Sequence, residues 1–260
     1  MPHYPANHIS AHESFPIHNA DASTLAYPLR VLSDLHFRDG HSPLTERSQL
    51  RGLFKGAGTV ILNGDSVEER QRPRWVAQID MDEVQAAARD EGVALIVVSG
   101  NHDPSLSPIR QVRLVGLNLT IKHGDGCREG EPNFRPLTHH ARVSWHTLRI
   151  ACRLWWGFHR RHLAGLQGNL IVGHSHRPGL WRNSSGVLVN LGGHSPLPWA
   201  YAIEIGGRDD PEWAWRPIRY AGRQPLFTAA KRVRAIGMDR PAPRTISSHG
   251  QIISLGAQHP

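Results

Sequence analysis

Apolar residues in this chain gather in short runs that stop abruptly at Gly or polar residues, the pattern of buried strands. Four such runs stand at 29–32, 59–62, 93–98 and 170–172. A fifth covers 114–121, and its second half alternates apolar and polar positions up to Lys122. Between them, 45–54 and 80–91 have helical spacing, the second opening on acidic residues suited to a helix N-terminus. This alternation predicts an α/β fold. Beyond 178 the pattern changes: LWRNSSGVLVNLGG and WAYAIEIGG alternate and are broken by Asn-Ser-Ser-Gly and Gly-Gly, which predicts antiparallel hairpins and a second sheet. Residues 1–28, rich in His, Pro and small polar residues, read as a flexible extension, and 222–260 as a largely irregular tail with one short helix at 229–236. The main domain is then 29–221, with no internal repeat.

Each strand run delivers a polar string at its carboxyl end. The strings are SDLHF at 33–37, NGDSVE at 63–68, GNHD at 100–103, KHGDG at 122–126 and GHSHRP at 173–178. Ligands of α/β sheets gather outside the carboxyl ends of strands, so these strand ends can converge on one site. Together they supply carboxylates, imidazoles and one carboxamide, which suit two divalent cations side by side. Asp34 and His36, two apart, would point to one side if the extended backbone continued, and could grip one cation. Asp65 follows a Gly just past a strand, where a carboxylate can bridge two cations and offset their repulsion. Asn101 offers a neutral oxygen, and His102 beside it faces another way, free to act on substrate. His123, His174 and His176 complete the set. Taken singly, Asp-x-His is an ordinary turn or cap, and eighteen His in the chain make chance matches easy. The joint occurrence at the ends of successive apolar strands, with Gly in or beside four of the strings, carries the reading.

This set resembles that of the calcineurin-like metallophosphoesterases, over about residues 29–206. The resemblance implies a four-layer α/β/β/α sandwich of two mixed sheets flanked by helices. It implies one metal on Asp34, His36, Asp65 and His176 and another on Asp65, Asn101, His123 and His174, with His102 and Asn101 at the reacting centre. The metals would be Mn, Fe or Zn, with Mn foremost. Water between two cations has a depressed pKa and is poised as hydroxide for in-line attack on phosphorus, and the cations stabilise the phosphoryl charge. A protonated His102 can donate to the leaving oxygen. The expected activity is hydrolysis of a phosphoester or pyrophosphate bond.

An insert at about 127–168 separates the last two strings. Read as a helix over 139–162, it puts Arg142, Arg149, Arg153 and Arg160 on one face and Leu148, Ala151, Trp155 and Phe158 on the other, with Trp145 and Trp156 beside the basic stripe. Arg with Trp suits a membrane interface, and the same pattern also fits a helix docked on the core with a solvated basic face. The HGD string, basic helical insert and GHSHRP, together with Glu68, resemble the UDP-2,3-diacylglucosamine pyrophosphatases, whose insert caps the site and receives acyl chains. Those enzymes have Arg where this chain has His102. Arg149, Arg153 and Arg177 are the candidate substrate contacts.

The formal charge of +8 favours acidic partners, which opens a second reading as a nuclease or nucleotide phosphodiesterase and leaves a peripheral membrane surface as a partner. A non-catalytic metal-binding scaffold is a third. Two Cys, Cys127 and Cys152, exclude a disulfide framework and a Cys-based zinc motif, and point to a reducing cytoplasm. A secretory signal and a spanning helix are not expected, because no basic start leads into an apolar stretch and no run reaches eighteen apolar residues. His194 in LGGHSP matches no ligand of the family and reads as structural or substrate-facing. The four His of the first 28 residues read as solvated.

Overall fold

Strand β1 (Ile17–Asp21) precedes the apolar runs, which become β2 (Leu29–Leu32), β3 (Thr59–Asn63), β4 (Ala94–Val98), β5 (Gln111–Val115), β6 (Leu119–Lys122) and β7 (Gly168–Val172). The hairpin region gives β8 (Gly179–Arg182), β9 (Gly186–Asn190), β10 (Gly192–Gly193), β11 (Trp199–Ile205) and β12 (Glu212–Ala221), followed by β13 (Gln224–Phe227) and β14 (Lys231–Arg234). Helices are α1 (Arg47–Phe54), α2 (Arg74–Asp90) and α3 over 156–164. The structure, a computed structural model, describes residues 17–125, 156–194, 199–207, 212–222 and 224–236.

Two mixed sheets result. One runs β1-β5-β6-β7-β9-β8, the other β13-β12-β11-β2-β3-β4, with β10 beside β11 and β14 beside β12. Within them β2, β3 and β4 are parallel, as are β6, β7 and β9, so each sheet brings three neighbouring strand ends to one edge. β2, β3, β7 and β9 are buried at every position, which explains their mainly apolar character. Between the sheets, Val31, Ile61, Ile203 and Trp213 meet Val112, Ile121, Ile171 and Val189. Outside the second sheet, α1 and α2 bury Leu50, Leu53, Phe54, Met81 and Val84 against Leu32, Val60 and Leu62. Outside the first, Phe158 of α3 packs with Leu170, Val172 and Leu188. Helix, sheet, sheet, helix is the four-layer order expected.

The differences from expectation have local causes. The run at 114–121 is two strands, because Gly116 (φ 95) and Asn118 (φ 45) turn the chain in the left-handed region and set Leu114 opposite Leu119. α2 starts at Arg74, so Asp80 lies inside it. Its buried carboxylate is satisfied by Arg72 at 2.6 Å and Arg38 at 3.3 Å rather than by a helix end. Residues 17–28 are not a loose extension: β1 adds to β5 in parallel and Ala22 enters the core, although the strand itself is mostly exposed and so has no apolar pattern to read. Residues 231–234 pair with β12 as a strand instead of turning helical, with Val233 as the one buried residue of four. Asn169 then holds the chain beyond it, donating to Ile236 O and accepting from Ile236 N, each at 2.9 Å. Residues 237–260 lie outside the described residues. So does the insert up to 155, with Arg142, Trp145, Arg149, Arg153 and Trp155. In the described part of the insert, Phe158 is buried and Arg160 exposed, as the helical reading requires.

Candidate metal centre

The polar strings meet where the two sheets present their strand ends. Asp34 and His36 follow β2, Asp65 follows β3, and Asn101 and His102 follow β4, all in one sheet. His123 follows β6, and His174 and His176 follow β7, in the other. One donor atom each from Asp34, His36, Asp65 and His176 lies within 4.8 Å of the rest, and the same holds for Asp65, His123 and His174. Asn101 Oδ1 joins the second group, 3.2 Å from His123 Nε2 and 2.9 Å from His174 Nδ1. The seven side chains therefore assemble in the two groups expected, with Asp65 common to both.

The donor set fits a cation pair. His123 Nδ1 lies 3.0 Å from the carbonyl of Asn63, to which it donates, so its Nε2 faces Asp65 Oδ2 at 3.1 Å and Asn101 Oδ1 at 3.2 Å. Across the site, His36 Nε2 and His176 Nε2 face each other at 3.3 Å, and Asp34 Oδ1 is 3.2 Å from the latter. Electron pairs outnumber hydrogens at both places, a deficit that a divalent cation satisfies. The charges agree. Burial works against charge on His123, yet Asp65 and Asp34 outweigh it and hold the imidazole well above its ordinary range. Burial likewise opposes ionisation of Asp65, but His123, His102 and His36 keep it well below the usual carboxylate range. Burial, with His123 next, lowers His174 to about 3, and burial lowers His36 to about 4 against the pull of Asp65, which leaves both rings neutral and able to ligate.

The backbone here is not the extended continuation expected at 34–36. Asp34, His36, Asp65, His174 and His176 all hold left-handed φ between 46 and 63. Each such non-glycine residue costs about 1–2 kcal/mol and persists only where the surroundings over-determine it. Hydrogen bonds between the loops do so: Asp34 N to Gly64 O at 3.0 Å, His36 N to Asp65 O at 2.9 Å, and His174 N to the Asp34 carboxylate at 3.1 Å. Two glycines let backbone approach the donors. A Cβ on Gly100 would run into Asp65 Oδ1, and one on Gly173 into Ser33 Oγ and Asp34 Oδ2.

His102 stands beside the two groups, in a further cluster with His36 and Glu68 whose donor atoms lie within 4.8 Å of one another. Its Nδ1 lies 2.8 Å from Oε2 of buried Glu68, its amide donates to Asp65 Oδ1 at 2.8 Å, and its ring meets His36 edge-on at 5.0 Å. Glu68, accepting from Nδ1, leaves Nε2 for the site. In the sequence the only signal of this role is an acidic residue three places after Asp65. Asp103 was missed altogether. Its carboxylate accepts from Gly100 N at 2.6 Å, Ser66 N at 2.7 Å and Asp65 N at 3.2 Å, tying two ligand loops, and burial, with Asp65 next, pushes it up to about 7. His194 braces the centre: its amide donates to Asp34 O at 3.1 Å and its buried ring bonds to the Tyr220 hydroxyl. Arg177, half-buried, directly follows His176. Arg149 and Arg153 lie outside the described residues.

No known protein family and no curated protein matches this chain in sequence. Several solved structures are similar in the course of the chain. A single mutant of Vps29 from Entamoeba histolytica is 16% identical, with 79% of this chain and 98% of that one covered and a TM-score of 0.44. A dimetal phosphatase from Danio rerio is 15% identical, with 80% and 100% covered and a TM-score of 0.44. A predicted phosphoesterase from Streptococcus pneumoniae is 15% identical, with 79% and 96% covered and a TM-score of 0.38. Among the described residues no helix is long and apolar enough to cross a membrane.

Proposed function

We propose that this chain is a dinuclear-metal phosphohydrolase of the calcineurin-like kind, cleaving a phosphoester or pyrophosphate bond. The observation that carries this is Asp65, one carboxylate common to two donor groups. One ion would be held by Asp34, His36, Asp65 and His176, the other by Asp65, Asn101, His123 and His174, with manganese the first candidate. When bound, such a pair supplies Lewis acidity toward water and toward phosphoryl oxygens. The chain's own residues orient and move protons. Asn101 directs its oxygen between His123 and His174. His102, its Nδ1 held by Glu68, presents Nε2 to the reacting group and can pass a proton to the leaving oxygen. A complete donor set weighs against an idle scaffold.

An amphiphilic substrate, such as UDP-2,3-diacylglucosamine, is favoured by the foot of the insert. Trp156 opens α3 half-exposed at 51%, and Phe158, two residues on, lies 5.9 Å from the ring of His174. An apolar chain received by the insert would thus end beside the ions, at the cytoplasmic face of a membrane, and Arg149, Arg153 and Arg177 are the candidate contacts to its phosphates. The +8 charge favours the second reading, a nuclease or nucleotide phosphodiesterase.

The test is metal counting with hydrolysis of bis(p-nitrophenyl) phosphate by manganese-loaded protein. About two equivalents per chain and turnover are expected, with both abolished by Asp65→Asn. Wild-type protein that takes up no manganese, or turnover indifferent to Asp65→Asn, overturns the reading. A panel of lipid-linked pyrophosphates, cyclic nucleotides and single-stranded DNA then separates the substrates.

A further inference from the structure

The loop carrying His174 and His176 keeps two left-handed residues, and part of what holds it comes from outside the ligand set. Asn190 ends β9 in register with Val172 at the end of β7, and its side chain is fully buried. Its Oδ1 accepts from Gly192 N at 2.9 Å, which fixes the orientation of the carboxamide. Its Nδ2 then lies 3.0 Å from Gly173 O, 2.8 Å from Ser175 Oγ and 3.2 Å from His159 Nε2. Since Nδ2 can only donate, His159 Nε2 accepts and the ring proton sits on Nδ1. His159 belongs to α3, is fully buried, and lies against the Trp181 ring at 4.0 Å. The insert helix therefore reaches the ligand loop through one imidazole and one carboxamide.

We propose that His159 is a positioning residue of the metal centre. By accepting from Asn190 it sets the carboxamide that grips Gly173 and Ser175, and so the approach of His174 and His176 to their ions. Two hydrogens on Nδ2 face three acceptors. The imidazole draws one of these hydrogens toward α3; without it both turn to Gly173 O and Ser175 Oγ, and the ligand loop shifts with them. The inference rests on the dinuclear reading above. Groups that orient ligands from behind typically change metal affinity by about 10–100-fold when removed.

His159→Phe separates this role from simple packing, because it keeps a ring against Trp181 and deletes the acceptor. By calorimetric titration its manganese affinity should fall about 10–100-fold, with the spin-coupled manganese signal weakened at the same loading and the circular dichroism unchanged. His159→Gln, whose Oε1 can accept the same hydrogen, should recover most of the loss. Asn190→Leu should lose at least as much as His159→Phe, and the double variant no more than Asn190→Leu alone, since both act through one contact. Wild-type protein that binds no manganese defeats the dinuclear reading itself. Wild-type protein that binds it while His159→Phe binds equally well, or losses that multiply in the double variant, overturn the inference. Should His159→Phe not fold, Asn190→Leu decides: wild-type affinity there overturns it too.

Discussion

His102 and its neighbours divide labour between chemistry and support. Because His102 belongs to neither of the two proposed ion sites and is held by Glu68, His102→Ala should lower turnover by about 10²–10⁴-fold while manganese content, measured by elemental analysis, stays at the wild-type value. A second prediction concerns His162, 5% exposed and 4.6 Å from the Phe158 ring. Burial first, then Lys122, lowers it to about 3, whereas the unfolded chain binds that proton near 6.5. Stability is therefore fully present above the unfolded value and is lost as pH falls toward 3. Urea unfolding at pH 5 should show a loss of about 2 kcal/mol from this group, and His162→Leu should flatten that part of the profile. All seven ion-binding candidates were legible in the sequence, since ligation demands particular atoms and each stood at the end of an apolar run. Asp103 and Asn190 were not, because an Asp or Asn that serves backbone amides and carbonyls looks like any turn residue until distant loops are brought together.

Among elements, legibility followed burial. Strands covered on both faces, such as β3 and β7, were plain as apolar runs, while β1 and β14 owe their place to backbone pairing and carry almost no apolar pattern. The hairpin at 116–118 was hidden because Leu117 is apolar and buried in the turn itself. The early start of α2 was hidden because its first turn has no acidic residue and no side-chain cap. The loops after β4 and β7 approach the donors closely enough to give a third prediction. Gly100→Ala, which would drive a methyl group against Asp65 Oδ1, should lose manganese affinity by at least about tenfold in titration, with the far-ultraviolet circular dichroism of the wild type.

At the scale of the molecule the charge of +8 and the half-exposed Trp156 pull toward different substrates. Turnover of an amphiphilic pyrophosphate should depend on detergent and only weakly on salt, whereas binding of single-stranded DNA through phosphate contacts would weaken steeply from 50 to 200 mM salt. Activity in both media, measured side by side, ranks the two readings. Each proposed ion draws ligands from both sheets, Asp34, His36 and Asp65 from one and His176 from the other, or Asp65 and Asn101 from one and His123 and His174 from the other. Metal would then act as a pair of rivets through the sandwich. At manganese concentrations about a hundredfold above the dissociation constant, each rivet would add about 2.7 kcal/mol to the folded state. A chelator should accordingly lower the melting temperature and speed amide exchange at the carboxyl ends of β2, β3, β6 and β7 together, the two halves of the protein loosening at one seam.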